Sequence, residues 1–332
     1  MIPEQQPALT LRQAWHFVVA AESGTLAEAA RRLHMAPSAI STSVAELERA
    51  VGSELLVKRR AKGVTLTATG REVLGMARDL LRLADSIAAL SREDRSQLRG
   101  PLTVGCDITL GPTIIPAMLS DFARQCPGVE VDFVEGFHED VQERLLAGAL
   151  DVAFVYNAAV DPALTTVALA TAAPHVLLPE HHRLAESATV RLADIAEEPL
   201  VLFDSPPLGG RVLQLFQEAR AVPTVRHRSR SYATVRSLVA VGRGIAVLYQ
   251  QKALEAPYAE LGVRLRPLSV RGALARPVQV ALAAPRSTRP SVRARAWIDV
   301  ALELFTGDGA ADGAPSGGAD GAAGAAGAAG AG

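Results

Sequence analysis

The fold is decided by residues 11–70, LRQAWHFVVAAESGTLAEAARRLHMAPSAISTSVAELERAVGSELLVKRRAKGVTLTATG. Apolar residues return every three or four positions in three successive runs, which is the spacing of helices with one buried face. Ser23-Gly24 ends the first run and Gly52 ends the third. The residues predicted to line the buried face of the first helix are Leu11, Ala14, Trp15, Val18 and Val19.

The second and third helices have recognisable starts. Thr25 and Glu28 have the spacing of a capping box, which predicts a helix from Leu26 to Leu33. Pro37 suits the first turn of the third helix, where its missing N–H costs no hydrogen bond. Two short helices joined by a tight turn predict a helix-turn-helix. The buried stripe of the third helix consists of Ile40, Val44, Leu47 and Val51.

Small polar side chains open the third helix on the face opposite its apolar stripe. Such side chains at a helix N-terminus can enter a major groove and contact base edges. The helix N-terminus itself attracts phosphate. We therefore predict that this face binds DNA. The contacts predicted in this helix are Pro37, Ser38, Ser41 and Thr42.

After Gly52 the pattern changes to two short strands, Leu55-Leu56-Val57 and Val64-Thr65-Leu66. Between them lies the basic run KRRAKG, residues 58–63. A charge run taken alone is most often a solvated hairpin, but this one directly follows a helix-turn-helix. We therefore interpret it as a wing that contacts phosphates. The wing residues predicted to bind DNA are Arg59, Arg60 and Lys62.

The whole segment resembles the winged helix-turn-helix of LysR-type transcriptional regulators. The match runs nearly without gaps over about 60 positions, which makes it far more specific than a match to a short motif. Matching features include Ser38-Ala39-Ile40-Ser41, Leu47-Glu48 and Leu66-Thr67. Ala36 stands where the family often has Ser, so the third helix lacks that cap. The resemblance implies a DNA-binding domain over residues 1–68.

Residues 69–99 are predicted to form a linker helix that ends at a hinge. An apolar seam at 3-4-3-4-3 spacing is typical of a coiled coil, and a second apolar face lies beside it. We expect this helix to dimerise, as the resemblance also implies. A core helix within one chain is the alternative that the pattern leaves open. The seam consists of Val73, Met76, Leu80, Leu83, Ile87 and Leu90.

From Leu102 onward strands and helices alternate, which predicts a parallel sheet with helical crossovers. The order resembles the LysR effector domain, a two-lobed α/β module like type II periplasmic binding proteins. The resemblance implies an effector domain over 100–306, with lobe I at about 100–172 and 270–306 and lobe II at about 173–269. The predicted fold class is thus α+β multidomain. Residues 307–332 are almost entirely Gly and Ala and are expected to be disordered.

Ligands bind at the carboxyl ends of strands in such folds, so side chains that follow predicted strands are candidate effector contacts. The resemblance places a hydroxyl that often binds the effector at Thr109. Asp107 and Asp204 would oppose an anion unless they are paired, so an amine-bearing or zwitterionic ligand stays open. The candidates are Asp107, Thr109, Phe137, His138, Tyr156, Asn157, Asp204, Ser205 and Tyr232.

Composition excludes several other classes. The 34 Lys and Arg against 35 Asp and Glu give a net charge of −1, so a uniformly basic coat is excluded but a local basic patch is not. No apolar run approaches membrane length and no secretory signal begins the chain, so we expect a cytoplasmic protein. Cys106 is expected to be a plain buried thiol. No nucleotide fingerprint or metal spacing is present, so neither a cofactor nor a metal is expected.

Three functions compete at this point. We favour a LysR-type regulator whose binding and bending of double-stranded DNA respond to a small molecule in the cleft. It would act as a homodimer or homotetramer, with RNA polymerase as a further partner. The alternative is a metabolic enzyme on a two-lobed α/β fold with a helical assembly module, although no nucleophile–base set is visible. A secreted solute-binding protein is disfavoured by the missing signal.

Overall fold

The computed structural model describes residues 8–59, 63–88, 95–250, 263–269 and 277–309. The amino-terminal part begins with α1 (Leu11–Ser23), α2 (Leu26–Arg32) and α3 (Pro37–Val51). The Thr25 hydroxyl caps α2 by accepting the Glu28 N–H. Pro37 opens α3, and Gly52 ends it with a φ of 76°, in the left-handed region that favours glycine.

The buried face of α1 differs from the predicted one. Leu11 and Trp15 are each 47% exposed, whereas Phe17 is fully buried and His16 is 3% exposed. The prediction that Leu11 and Trp15 face the core is therefore wrong. The reason is that α1 contacts α2, α3 and the linker helix, which rotates its buried arc away from those two residues.

The wing consists of β1 (Leu56–Arg59) paired antiparallel with β2 (Gly63–Leu66). The linker helix, α4 (Ala68–Ala88), follows at once. The Cα hydrogen of Gly70 points at the Leu55 carbonyl, since a Cβ at Gly70 would lie 2.1 Å from that oxygen.

Two faces of α4 have different surroundings. Leu74 and Ala77 are buried in the core that also contains α1. Met76, Leu83 and Ile87 of the predicted seam are 68%, 57% and 63% exposed. The remaining seam residue at position 90 lies outside the described residues. Val73 and Leu80 of the same seam are half-buried against that core, so within the described range only part of the seam faces solvent.

The carboxyl-terminal part begins as a parallel sheet. β3 (Gly100–Asp107) pairs with β4 (Val129–Gly136) and β5 (Val152–Tyr156), both in parallel. The connecting helices are α5 (Gly111–Gln125) and α6 (His138–Leu146).

β6 (Leu164–Pro179) is a single strand of 16 residues that serves both lobes. Its first half pairs antiparallel with β12 (Val278–Pro285). Its second half pairs antiparallel with β10 (Ala246–Gln250) and β11 (Val263–Ser269). The chain therefore crosses between the lobes on antiparallel strands, in addition to the parallel strands with helical crossovers that the sequence predicts.

The second lobe adds a two-stranded parallel sheet of β8 (Pro199–Phe203) and β9 (Thr224–Ser229). Short β7 (Val190–Arg191) pairs with the end of β11. α7 (Leu208–Glu218) and α8 (Tyr232–Ala240) cover this lobe.

The chain returns to the first lobe in α9 (Val292–Gly309). Trp297 on α9 is fully buried between the rings of Phe122 and Phe154. The helix continues to residue 309, so the expected disordered segment does not begin at 307; residues 310–332 lie outside the described ranges. None of the helices in the described ranges is long and apolar enough to cross a membrane.

Arginines of α4 connect the linker helix to the end of α6. Arg78 donates to the Ala147 carbonyl at 3.1 Å, and Arg82 donates to the Gly148 carbonyl at 3.2 Å. Arg78 also pairs with Glu22 of α1 at 3.0 Å. One arginine therefore contacts both the amino-terminal helices and the carboxyl end of α6.

Candidate functional sites

The first turn of α3 presents a small, polar, accessible face. Pro37, Ser38 and Thr42 are exposed and Ser41 is half-buried. Ala36 precedes the helix with no side chain that caps its N–H groups. The apolar stripe on the other side of α3 is buried in the amino-terminal core. The helix start thus offers hydroxyls and backbone N–H groups on one surface, a combination suited to phosphates and base edges.

The wing is fixed against the helices by its backbone. The Val64 N–H donates to the Gly24 carbonyl at 2.7 Å. Arg59 ends β1, while positions 60 and 62, predicted as Arg60 and Lys62 phosphate contacts, lie outside the described residues. The backbone therefore places the start of the basic run beside the helix-turn-helix.

Four of the side chains that follow strands form one buried cluster in the first lobe. The Asp107 carboxylate accepts the backbone N–H of Thr109 at 2.9 Å and its hydroxyl at 2.6 Å, both on Oδ1. The Tyr156 hydroxyl lies 3.0 Å from the Thr109 hydroxyl. His138 Nδ1 lies 3.9 Å from Asp107 Oδ2. Three strand ends thus meet at one point, as the topology requires.

Burial sets the protonation of this cluster. Desolvation raises the pKa of Asp107, while the hydrogen bonds from Thr109 and the nearby His138 work in the opposite direction. Desolvation also raises the pKa of Tyr156 well above its usual value, and the neighbouring Tyr232 and Asp107 add to that shift. Tyr156 is therefore a neutral hydroxyl at physiological pH.

Phe137 and Tyr232 belong to aromatic contacts beside this cluster. The guanidinium of Arg230, from the second lobe, lies 3.7 Å from the centre of the Phe137 ring in the first lobe. Tyr232 packs edge-on against Phe203, and its hydroxyl donates to the Tyr249 carbonyl at 3.4 Å. The Arg230–Phe137 contact joins the two lobes.

The remaining candidates are Asp204, Ser205 and Asn157. Asp204 is exposed and pairs with Arg228 at 3.4 Å, and Ser205 beside it is buried. Asn157 donates to the Gln279 side chain at 3.1 Å and lines a separate open cavity of about 560 Å³. The structure therefore does not bring Asn157 together with the Asp107 cluster, because consecutive strand residues point to opposite faces.

Two arginines near the lobe junction were missed by the sequence reasoning. Arg230 contacts Phe137, and Arg211 of α7 donates to the Tyr249 hydroxyl at 3.1 Å while lining the cavity beside Asn157. Basic residues alternate along the chain before Arg230, a pattern that is typical of a solvated strand face. The signal that could have found Arg230 was its position directly after a strand of the second lobe, whereas Arg211 lies within α7.

The cysteines are unsuited to redox chemistry. Cys106 and Cys126 are both buried and free. Burial raises the pKa of each thiol, and for Cys106 the charges of Asp107 and Glu135 raise it further. Since the thiolate is the reactive form, both groups are poor nucleophiles.

Comparison with known families matches both parts of the chain. Residues 11–71 match the bacterial regulatory helix-turn-helix protein family of the lysR type. Residues 95–306 match the LysR substrate binding domain. This protein belongs to the LysR family of transcriptional regulators.

Solved structures of LysR-family regulators agree with this assignment. A putative LysR regulator of Pseudomonas aeruginosa is 30% identical, with 90% of this chain and 99% of that one covered and a TM-score of 0.58. A full-length variant of OxyR, also from Pseudomonas aeruginosa, is 26% identical, with 90% and 97% covered and a TM-score of 0.71. CbnR complexed with its target DNA is 25% identical, with 89% and 100% covered and a TM-score of 0.53.

The family assignment decides between the functions that the sequence left open. LysR-family regulators combine a DNA-binding helix-turn-helix with an effector-binding domain and form oligomers, and this regulator has both domains in the family's order. The comparisons give no support to the metabolic enzyme. The α4 helix connects the two matched regions.

Proposed function

We propose that this LysR-family regulator binds operator DNA through the first turn of α3 and the wing, and that an effector in the cleft alters this binding. The observation that carries the proposal is the accessible start of α3, where small hydroxyls and uncapped N–H groups share one surface. The relative that was solved with its target DNA supports it. The DNA contacts proposed are Pro37, Ser38, Ser41, Thr42, Arg59, Arg60 and Lys62.

We assign the domains as 1–68 for DNA binding, 69–99 for the linker and 100–306 for effector binding. The homodimer forms through the exposed seam of α4, where Met76, Leu83 and Ile87 offer apolar surface to a second copy. Two dimers then form a tetramer, and the bound assembly contacts RNA polymerase in the cytoplasm. The effector lies among the Asp107 cluster, Phe137 and the second-lobe residues Ser205 and Tyr232.

The test is a gel shift of the purified protein on the DNA upstream of its own gene, at several salt concentrations. We expect specific binding whose affinity falls steeply with salt, because lysines and arginines release counterions from phosphates. Absence of specific binding at low salt would refute the proposal.

A pair of variants locates the interface. Ser41→Arg places a long side chain at the first turn of α3 and should weaken specific binding tenfold or more, roughly 1.4 kcal/mol. Ser53→Arg adds the same charge beyond the opposite end of α3, about 18 Å away, and should bind like wild type. If both variants lose the same DNA affinity, the first turn of α3 is not part of the interface. Light scattering checks that each variant is still a dimer.

A further inference from the structure

The Asp107 cluster has a buried negative charge without a full cationic partner. Asp107 is 4% exposed, and among the described residues no lysine or arginine lies within ion-pair distance of it. Both donors of Thr109 are directed to Oδ1, which leaves Oδ2 with His138 Nδ1 at 3.9 Å. A carboxylate in such surroundings is costly unless a donor or a cation approaches it.

His138 supplies a buried acceptor that is unsatisfied among the described residues. The ring is 1% exposed, and Nε2 lies 3.3 Å from the Ala159 carbonyl, which makes Nε2 the protonated nitrogen of the neutral ring. Nδ1 has no hydrogen-bond partner in the part of the chain that the structure describes. Buried polar atoms are nearly always paired, so an orphaned Nδ1 that lies 3.9 Å from Asp107 Oδ2 points to a missing group.

The geometry between these atoms fits one ammonium. Hydrogen bonds from a charged nitrogen are about 2.7–2.9 Å long, so one nitrogen can donate to two acceptors that are 3.9 Å apart. A direct ion pair with a doubly protonated His138 would need that same short distance between Nδ1 and Oδ2, and 3.9 Å exceeds it.

A carboxylate fits the cluster poorly. Asp107 already takes the N–H and the hydroxyl of Thr109 that an anion would need, and its own charge repels an anion.

We propose that the effector of this regulator carries a protonated amine, which binds between Asp107 Oδ2 and His138 Nδ1. This inference rests on the proposed function, since it names the ligand class of the same cleft. Asp107 is then the residue that sets specificity for a cation, and Thr109 orients its carboxylate rather than binding the effector directly.

The first experiment compares matched probes on the full-length protein at pH 7.5. Benzylamine and benzoate have similar shapes and opposite charges, as do cyclohexylamine and cyclohexanecarboxylate. We expect the amines to raise the melting temperature and the carboxylates to leave it unchanged. A rise with the carboxylates and none with the amines overturns the proposal.

The second experiment needs no ligand. In Asp107→Asn the amide oxygen still accepts from Thr109, while the amide N–H₂ can donate to His138 Nδ1. We expect this variant to melt at a higher temperature than wild type and to lose the response to amines. Asp132→Asn, at a carboxylate of neighbouring β4 outside the cluster, is the control and should do neither. If Asp107→Asn instead melts below wild type, Asp107 is already paired within the protein and the proposal fails.

The outcomes separate this proposal from the proposed function. The gel shift of the wild-type protein tests DNA binding without reference to the effector. If the protein binds DNA specifically and responds to carboxylates, the proposed regulator function stands and only the proposal of an amine effector is overturned.

Discussion

Replacing glycine by alanine at two positions of α4 should have opposite effects on stability. Gly70 and Gly75 lie in the same helix, where alanine normally stabilises by about 0.8–1 kcal/mol. A Cβ at Gly75 would meet only the Ala147 carbonyl, at 3.8 Å, which is ordinary contact. We therefore expect Gly75→Ala to stabilise the protein by up to about 1 kcal/mol.

Gly70→Ala should destabilise. The added Cβ would lie 2.1 Å from the Leu55 carbonyl oxygen, and real contacts of this kind are 3.0 Å or longer. The oxygen must therefore retreat, although it accepts the Thr67 N–H at 3.0 Å. Overpacking costs about 1–3 kcal/mol and a weakened hydrogen bond about 1 kcal/mol more, which outweighs the helix-propensity gain and leaves a net loss of roughly 1–3 kcal/mol.

Thermal unfolding of the full-length protein, followed by helical circular dichroism, measures both variants. For a domain of about 60–100 residues, a change of 1 kcal/mol in the free energy of unfolding shifts the melting temperature by roughly 4–8 °C. The melting temperatures of the amino-terminal domain in the two variants should therefore lie clearly on opposite sides of the wild-type value. Gly75→Ala serves as the matched control for the chemistry of the substitution. Equal shifts in the same direction would show that the approach of Gly70 to Leu55 does not constrain the fold.

Two further predictions concern the amino-terminal domain. Ala36→Ser should stabilise it by about 1 kcal/mol in urea unfolding, because a hydroxyl there can accept the N–H groups that α3 leaves uncapped; an unchanged midpoint would contradict this. Burial, together with the charge of Arg12, lowers the pKa of His16, so as pH falls the unfolded chain takes a proton, near pH 6.5, before the folded chain does. Stability should therefore fall as pH decreases below that value. Between about pH 7.5 and 5.5 the melting temperature of His16→Gln should change less than that of wild type. An equal change in both proteins would exclude His16 as the cause.

Local pattern predicted the amino-terminal elements well. The starts of α2 and α3 depend on Thr25 and Pro37, and the end of α3 depends on Gly52, so neighbouring residues suffice. The exposure of Leu11 and Trp15 could not be predicted in this way, since it depends on where α4 packs. That position is set by tertiary contacts far away in the sequence.

The same distinction holds in the cleft. Asp107, His138 and Tyr156 follow parallel strands, and the rule that such strand ends share one edge was enough to place them near each other. The contact of Arg230 with Phe137 depends on how closely the two lobes approach, which no local pattern contains. The direction of Asn157 depends on the pleat of β5, and a shift of one residue decides it.

The hydrogen bonds at the carboxyl end of α6 determine which substitutions this regulator can tolerate there. The first residue of α6, His138, belongs to the Asp107 cluster, and about 14 Å further on the carboxyl end of the helix accepts hydrogen bonds from Arg78 and Arg82. Those acceptors are main-chain carbonyls, which every amino acid provides. The contact between the carboxyl end of α6 and the linker helix therefore does not depend on most side chains along α6. It depends instead on two arginines and on Gly148, whose φ of 67° no β-branched residue adopts without strain.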